Sequence, residues 1–145
     1  MKLEKEFNEY LADMAVLSIK ISNLHWNVVG KNFLAVHKYT EAEYEKAQER
    51  MDEVAELIRM FGLVPASTMA EYLQLAHVKE VPSKQYTCAE VLDTLLSDLE
   101  LVRKTATDLR NAADEEGWFS TVDLLEDHVN DYNKQIWMIK AMLTE

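Results

Sequence analysis

The sequence predicts an all-α protein: a four-helix bundle with a short extra helix in a long crossover between helices 2 and 3. Three observations predict it. Apolar residues recur at steps of three and four over four long stretches, the spacing of one buried face on an α-helix. The three glycines, Gly30, Gly62 and Gly117, fall at the boundaries between these stretches, where glycine commonly sits just past a helix end. The connection over about residues 62–86 holds both prolines, Pro65 and Pro82, and is long enough to cross the length of a bundle.

The first stripe runs Leu3, Phe7, Leu11, Met14, Leu17, Ile21, Leu24 and Val28. The second, between Gly30 and Gly62, runs Val36, Tyr44, Ala47, Met51, Val54, Ile58 and Phe61. Next comes the crossover, where Thr68 and Glu71 form a capping-box pattern and open a short helix over 68–76. A second capping-box pair, Thr87 and Glu90, starts the third long helix, with the stripe Leu92, Leu95, Leu99, Val102, Ala106, Leu109 and Ala113. After Gly117 the last stripe is Val122, Leu125, Val129, Tyr132, Ile136, Ile139 and Leu143. Short links at Gly30 and Gly117 with a long middle crossover give the ferritin-like connectivity among bundle topologies.

With 145 residues, 48% hydrophobic and 28% charged, the chain reads as one domain spanning 1–145, long enough to bury a core. The single cysteine, Cys88, permits no internal disulfide and fits a reducing compartment. Residues 1–10 mix charged with apolar groups instead of forming a signal peptide, and no apolar run approaches a membrane span. A cytoplasmic location is therefore expected. The formal net charge of −11 repels nucleic-acid phosphates and anionic membranes and attracts cations.

The chemistry-bearing residues cluster on the first two helices. His37 and Glu41 share one helix face at one-turn spacing, and so do Asp52 and Glu56. His25 lies shortly before Gly30 and His37 shortly after it, roughly level on neighbouring helices. His25, His37 and Glu41 are thus expected to converge, and imidazole plus carboxylate suits divalent iron or zinc. Fifteen residues separate His37 from Asp52, about 22 Å along a helix axis, so the acidic pair cannot reach the same ion within one chain. Either that pair acts separately or another chain completes its site.

Spacing favours the second reading. His37 and Glu56 lie equally far from the Lys46–Ala47 link, as do Glu41 and Asp52. A two-fold axis there would set each pair against its partner's counterpart and generate two equivalent sites per dimer. A metal site inside the bundle is not expected. Such sites use Glu-x-x-His pairs, whereas Ser22, Leu34, Gln74 and Leu125 stand three residues before His25, His37, His77 and His128. His77 and His128 are expected to be structural. Trp137 is expected in the core, and Glu43, Glu45, Glu49 and Glu53 fit either plain surface charge or the wall of an internal cavity.

The run His25-Trp26-Asn27-Val28, with Gly30, Asn32-Phe33 and His37, then Met51-Asp52-Glu53-Val54-Ala55-Glu56 and Gly62, resembles the signature of the Dps family of mini-ferritins. The likeness continues through Ser67-Thr68, Glu71-Tyr72, Ile136-Trp137-Met138 and Lys140-Ala141, so it covers essentially the whole chain. The resemblance implies a hollow dodecamer that acts as a ferroxidase. It would oxidise Fe(II), preferably with hydrogen peroxide, and store the ferric product, giving iron detoxification and protection from oxidative stress. Zinc is implied as a substitute metal.

The same resemblance places the catalytic ligands on His25, His37, Glu41, Asp52 and Glu56, with the last two supplied across a two-fold interface. Position 41 usually carries aspartate in the family, and Glu41 keeps the charge while moving the oxygens by one methylene. Trp26 matches a tryptophan that the family keeps beside the iron site. Asp114 and Asp123 match positions lining the family's iron-uptake pore, and Phe119 replaces a third aspartate there. Many relatives also bind DNA through a lysine-rich terminus. Here Lys2 and Lys5 are offset by Glu4 and Glu6, and the chain stops at Leu143-Thr144-Glu145, so DNA binding is not expected.

Overall fold

The computed structural model describes residues 2–144. Five helices and two very short strands follow in the order α1 (Glu4–Asn27), β1 (Val28–Val29), α2 (Phe33–Met60), α3 (Met69–Leu75), β2 (Tyr86–Thr87), α4 (Cys88–Glu115) and α5 (Phe119–Leu143). These form two compact units, one up to Leu95 and the other from Leu96 onward.

In the first unit α1 packs along α2 and against α3. Its apolar stripe is buried from Phe7 to Val28 as the periodicity predicts, and Tyr10, Ala12, Ala15 and Val16 are buried as well. On α2 the buried stripe is narrower, with Val36, Ala47, Val54, Leu57 and Ile58 inside. The short helix α3 matches the expected segment. Thr68 caps it by accepting from the Glu71 N–H at 3.2 Å, while the Glu71 carboxylate accepts from the Ser67 N–H at 3.2 Å. At α4 the reciprocal box closes fully: Glu90 N–H to the Thr87 hydroxyl at 3.1 Å, Thr87 N–H to the Glu90 carboxylate at 3.0 Å.

One feature departs from an all-helical chain. Val28 pairs with Tyr86 and Val29 with Thr87 in a two-residue parallel bridge, which ties the end of α1 to the start of α4. Gly30 therefore follows β1 and does not cap α1. Gly62 and Gly117 do sit at helix ends, at φ 85° and 75°. There Leu63 N–H reaches Ile58 O at 3.2 Å and Trp118 N–H reaches Ala113 O at 3.0 Å, the 6→1 bond of a Schellman cap, which needs positive φ at the glycine.

The second unit is a helical hairpin. The remainder of α4 buries Leu99, Val102, Ala106, Leu109 and Ala113, and α5 buries Val122, Leu125, Tyr132, Ile136 and Ile139. Arg110 contacts Glu126 at 3.4 Å and Arg103 contacts Asn133 at 3.1 Å, the pairing of two antiparallel helices around Gly117. Trp137, expected inside, is instead 66% exposed. It lies one residue after the buried Ile136 and two before the buried Ile139, on the solvent side of the helix.

The long crossover is pinned to α1 by a buried carboxylate. Asp13, fully buried, accepts from the backbone N–H of His77 at 2.6 Å and of Val78 at 2.9 Å. The His77 ring lies between Asp13 (3.7 Å) and Glu9 (3.5 Å), so the structural role expected for His77 has a definite form. Burial holds the Asp13 carboxyl above its ordinary value of 3.8, against the opposing pull of the two N–H groups and the His77 ring.

A raised folded value means the folded state holds this proton more tightly. The resulting stabilisation is complete below the unfolded value and is lost as pH rises through the raised one. Asp13→Asn keeps a carbonyl oxygen for the two N–H groups. Its stability relative to wild type is therefore expected to fall as pH is lowered from 7 toward 4, measured by urea melts. Asp13→Ala leaves both N–H groups without their acceptor and is expected to cost about 1–3 kcal/mol. A flat difference between wild type and Asp13→Asn across that range would refute the assignment.

Candidate metal centre

Helices α1 and α2 bring His25 and His37 face to face. The two imidazoles stack with centroids 3.8 Å apart and planes 13° from parallel. Each ring holds the other helix's backbone: His25 Nδ1 lies 2.6 Å from the His37 carbonyl, and His37 Nδ1 lies 2.9 Å from the His25 carbonyl. A carbonyl oxygen only accepts, so each Nδ1 carries the hydrogen. With Nδ1 given to a carbonyl, Nε2 is the atom each imidazole has left to offer a metal, the second-nitrogen arrangement that orients metal-binding histidines.

The surrounding rings extend this pair. Phe33 stacks on His37 at 5.0 Å, and Tyr44 meets His25 edge-on at 5.3 Å. His25 is buried at 5% exposure and His37 half-buried. Trp26, next along α1, is 66% exposed and so points away from the core. Thr40, wholly buried on α2, places its hydroxyl 3.2 Å from His25 Nδ1. No sequence motif marks Thr40 or Tyr44. The signal available was spacing, since Thr40 lies three residues after His37 and shares its side of the helix.

The carboxylates behave differently. Glu41, Asp52 and Glu56 are all exposed. Among the described residues no group of three His, Cys, Asp or Glu side chains is placed to hold a metal ion. The two histidines thus meet within one chain, while Glu41, exposed on α2, forms no three-ligand set with them there. Its longer side chain leaves α2 into solvent. Asp52 and Glu56 lie further along α2, as the 22 Å estimate requires. Glu43, by contrast, is buried and contacts Lys46 at 3.0 Å, so it is neither plain surface charge nor part of a cavity wall in this chain.

Asp114 and Asp123 lie at the α4–α5 junction, both exposed. Asp123 lines a shallow cleft with Thr107, Arg110, Glu126, Asp127 and Asn130. Arg110 sits among these acids, 3.8 Å from Asp114 and 3.4 Å from Glu126, and offsets part of their charge. Phe119 is 84% exposed beside them. His128 is buried, with Tyr132 edge-on at 6.4 Å, consistent with a structural histidine. Among the described residues no helix is long and apolar enough to cross a membrane.

Four long helices with a short fifth in the crossover, and two histidines stacked between α1 and α2, are the features of a ferritin-like protein, and the comparisons agree. Residues 4–145 match the family model of the ferritin-like domain. The DNA protection during starvation protein of Helicobacter pylori is 35% identical over 143 residues, covering 99% of each chain. The crystal structure of Helicobacter cinaedi CAIP superposes with a TM-score of 0.95 at 33% identity, over 99% of this chain and all of that one. The Dps protein of Vibrio cholerae, described as a member of a broad superfamily of ferritin-like diiron-carboxylate proteins, superposes at 0.94 with 28% identity, over 99% and 89% of the two chains. The chain belongs to the Dps family of ferritin-like proteins, and α3 is the extra helix in its crossover.

Proposed function

We propose that the protein is a ferroxidase acting as one ferritin-like domain, residues 1–145, in a dodecameric shell in the cytoplasm. Fe(II) is its substrate and the stored ferric mineral its product. The observation that carries this reading is the His25–His37 pair, whose Nδ1 atoms are both held by carbonyls and whose Nε2 atoms remain for a metal. His25, His37 and Glu41 of one chain bind iron together with Asp52 and Glu56 of the two-fold partner. This arrangement accounts for three exposed carboxylates on one helix that find no common ion inside the chain.

Imidazole and carboxylate donors suit divalent iron and equally zinc, which would occupy the site without redox chemistry. Hydrogen peroxide is the preferred oxidant. One peroxide takes one electron from each of two Fe(II) ions and two protons from solvent, giving two Fe(III) and two waters. No hydroxyl radical is released. Trp26, exposed and next to His25 in the sequence, intercepts any one-electron oxidant that escapes. Iron reaches the interior past Asp114 and Asp123, drawn by the acidic surface. The test is anaerobic loading of Fe(II) followed by peroxide or air, monitored by ferric absorbance. Oxidation at least tenfold faster with peroxide supports the reading; oxidation no faster than that of free iron rejects it.

The name of the Helicobacter pylori relative, DNA protection during starvation protein, favours a second reading, DNA protection. The net charge of −11 opposes direct contact with phosphates, because such binding depends on cationic side chains that displace counterions. Protection by removal of iron and peroxide needs no contact. In a gel-shift at low salt, plasmid mobility is expected to be unchanged by the assembled protein; retarded plasmid would establish direct binding.

A further inference from the structure

The clasp around the two imidazoles has a third member. Thr40 is wholly buried. Its hydroxyl lies 2.8 Å from the Val36 carbonyl and 3.0 Å from the His37 carbonyl, both on its own helix. A hydroxyl has one proton, and these carbonyls take it. Only lone pairs then face His25 Nδ1, at 3.2 Å. The His37 carbonyl, 2.6 Å from the same nitrogen, is also an acceptor. His25 Nδ1 thus faces two acceptors and no donor.

We propose that Thr40 is a positioning residue of the metal centre: with the His37 carbonyl, its hydroxyl locks His25 in the Nδ1–H tautomer and fixes the ring so that Nε2 is its ligating atom. The two imidazoles are unequal in this respect. His37 Nδ1 meets the His25 carbonyl at 2.9 Å, and its ring is half-buried. His25 is the anchor ligand, held in a pit by two acceptors and the Tyr44 edge, and His37 is the more adjustable one. A ligand fixed before the metal arrives loses little rotational freedom on binding. Partners behind a metal-binding histidine typically govern about 10–100-fold in affinity. Because the His37 carbonyl remains when the Thr40 hydroxyl is removed, the effect belongs near the lower end.

The proposal rests on His25 being a metal ligand, so the experiment includes a variant that tests that reading separately. Zinc is titrated alone into the assembled, metal-free protein by calorimetry, for wild type, Thr40→Val, Thr40→Ser, Thr40→Ala and His25→Ala. Histidine tautomers are read from ¹⁵N solid-state NMR of the same metal-free samples. Expected is about a tenfold loss of zinc affinity in Thr40→Val, with a mixed tautomer signal for His25 and wild-type behaviour in Thr40→Ser. A purely structural role for Thr40 would lower the melting temperature and leave the tautomer untouched. If Thr40→Val does not fold, the comparison of Thr40→Ser with Thr40→Ala carries the same contrast of hydroxyl against none. Equal zinc affinity and one tautomer with and without the hydroxyl overturn the role of Thr40. Undiminished zinc binding by His25→Ala overturns the metal centre itself.

Discussion

A His25→Ala/His37→Ala double variant is expected to oxidise Fe(II) no faster than free iron, a loss of about 10²-fold or more, or at least about 2.7 kcal/mol of barrier. The size follows from the geometry. Both imidazoles offer Nε2 because both Nδ1 atoms are taken, and removing them leaves a centre of carboxylates alone. Stopped-flow absorbance with peroxide checks it. The structural cost has to be separated from the chemical one. His25→Ala removes the donor that the His37 carbonyl and Thr40 hydroxyl share, a buried loss of about 1–3 kcal/mol. His37 is half-buried, so His37→Ala alone disturbs the fold less and still removes one ligand. Circular dichroism and sedimentation of each variant show whether lost activity reflects lost assembly. Wild-type oxidation rates in the double variant would place the chemistry elsewhere in the molecule.

The fold was legible because each helix carries its own signal. Steps of three and four named the buried faces of α1, α4 and α5 nearly residue by residue, and Gly62 and Gly117 marked two ends through the positive φ they adopt. Thr68 and Thr87 announced α3 and α4 through hydrogen bonds that span only three or four residues. What escaped had no local signal. The β1–β2 bridge is two residues long on each side, too short to show alternation, and it joins segments far apart in sequence. Asp13 looks like any helical aspartate until the crossover lays two N–H groups on it. Trp137 carries a misleading signal, since an aromatic near two buried isoleucines resembles a core residue, whereas one helical step of 100° separates inside from outside.

At the metal centre the histidines were legible from their spacing about Gly30, and the clasp between them was not. Backbone carbonyls carry no residue identity, so a pairing of Nδ1 with a carbonyl on the next helix leaves no trace in sequence. Glu41 is the opposite case. One-turn spacing puts it on the face of His37, yet a long flexible side chain at the surface follows solvent unless a charge holds it. An ion bound between two chains would supply that charge, and so would link the position of Glu41 to the presence of the partner.

That dependence makes complementation the sharpest test of the shared site. His37→Ala and Glu56→Ala are each expected to lose most ferroxidase activity, since every site then lacks one ligand. Mixing the two variants by co-expression gives about half mixed dimers if pairing is random. In each of these, one site lacks both ligands. The other takes His37 from the chain carrying the Glu56 substitution and Glu56 from the chain carrying the His37 substitution, and is complete. About a quarter of wild-type activity should therefore return. The control is a mixture of His37→Ala with His25→Ala. Both substitutions fall on the same half of the site, so neither site of a mixed dimer is complete and no activity should return. Recovery in the first mixture alone requires ligands from two chains. Recovery in neither would mean that Glu56 serves its own chain, and the symmetry of α2 about Lys46 and Ala47 would then have no part in the chemistry.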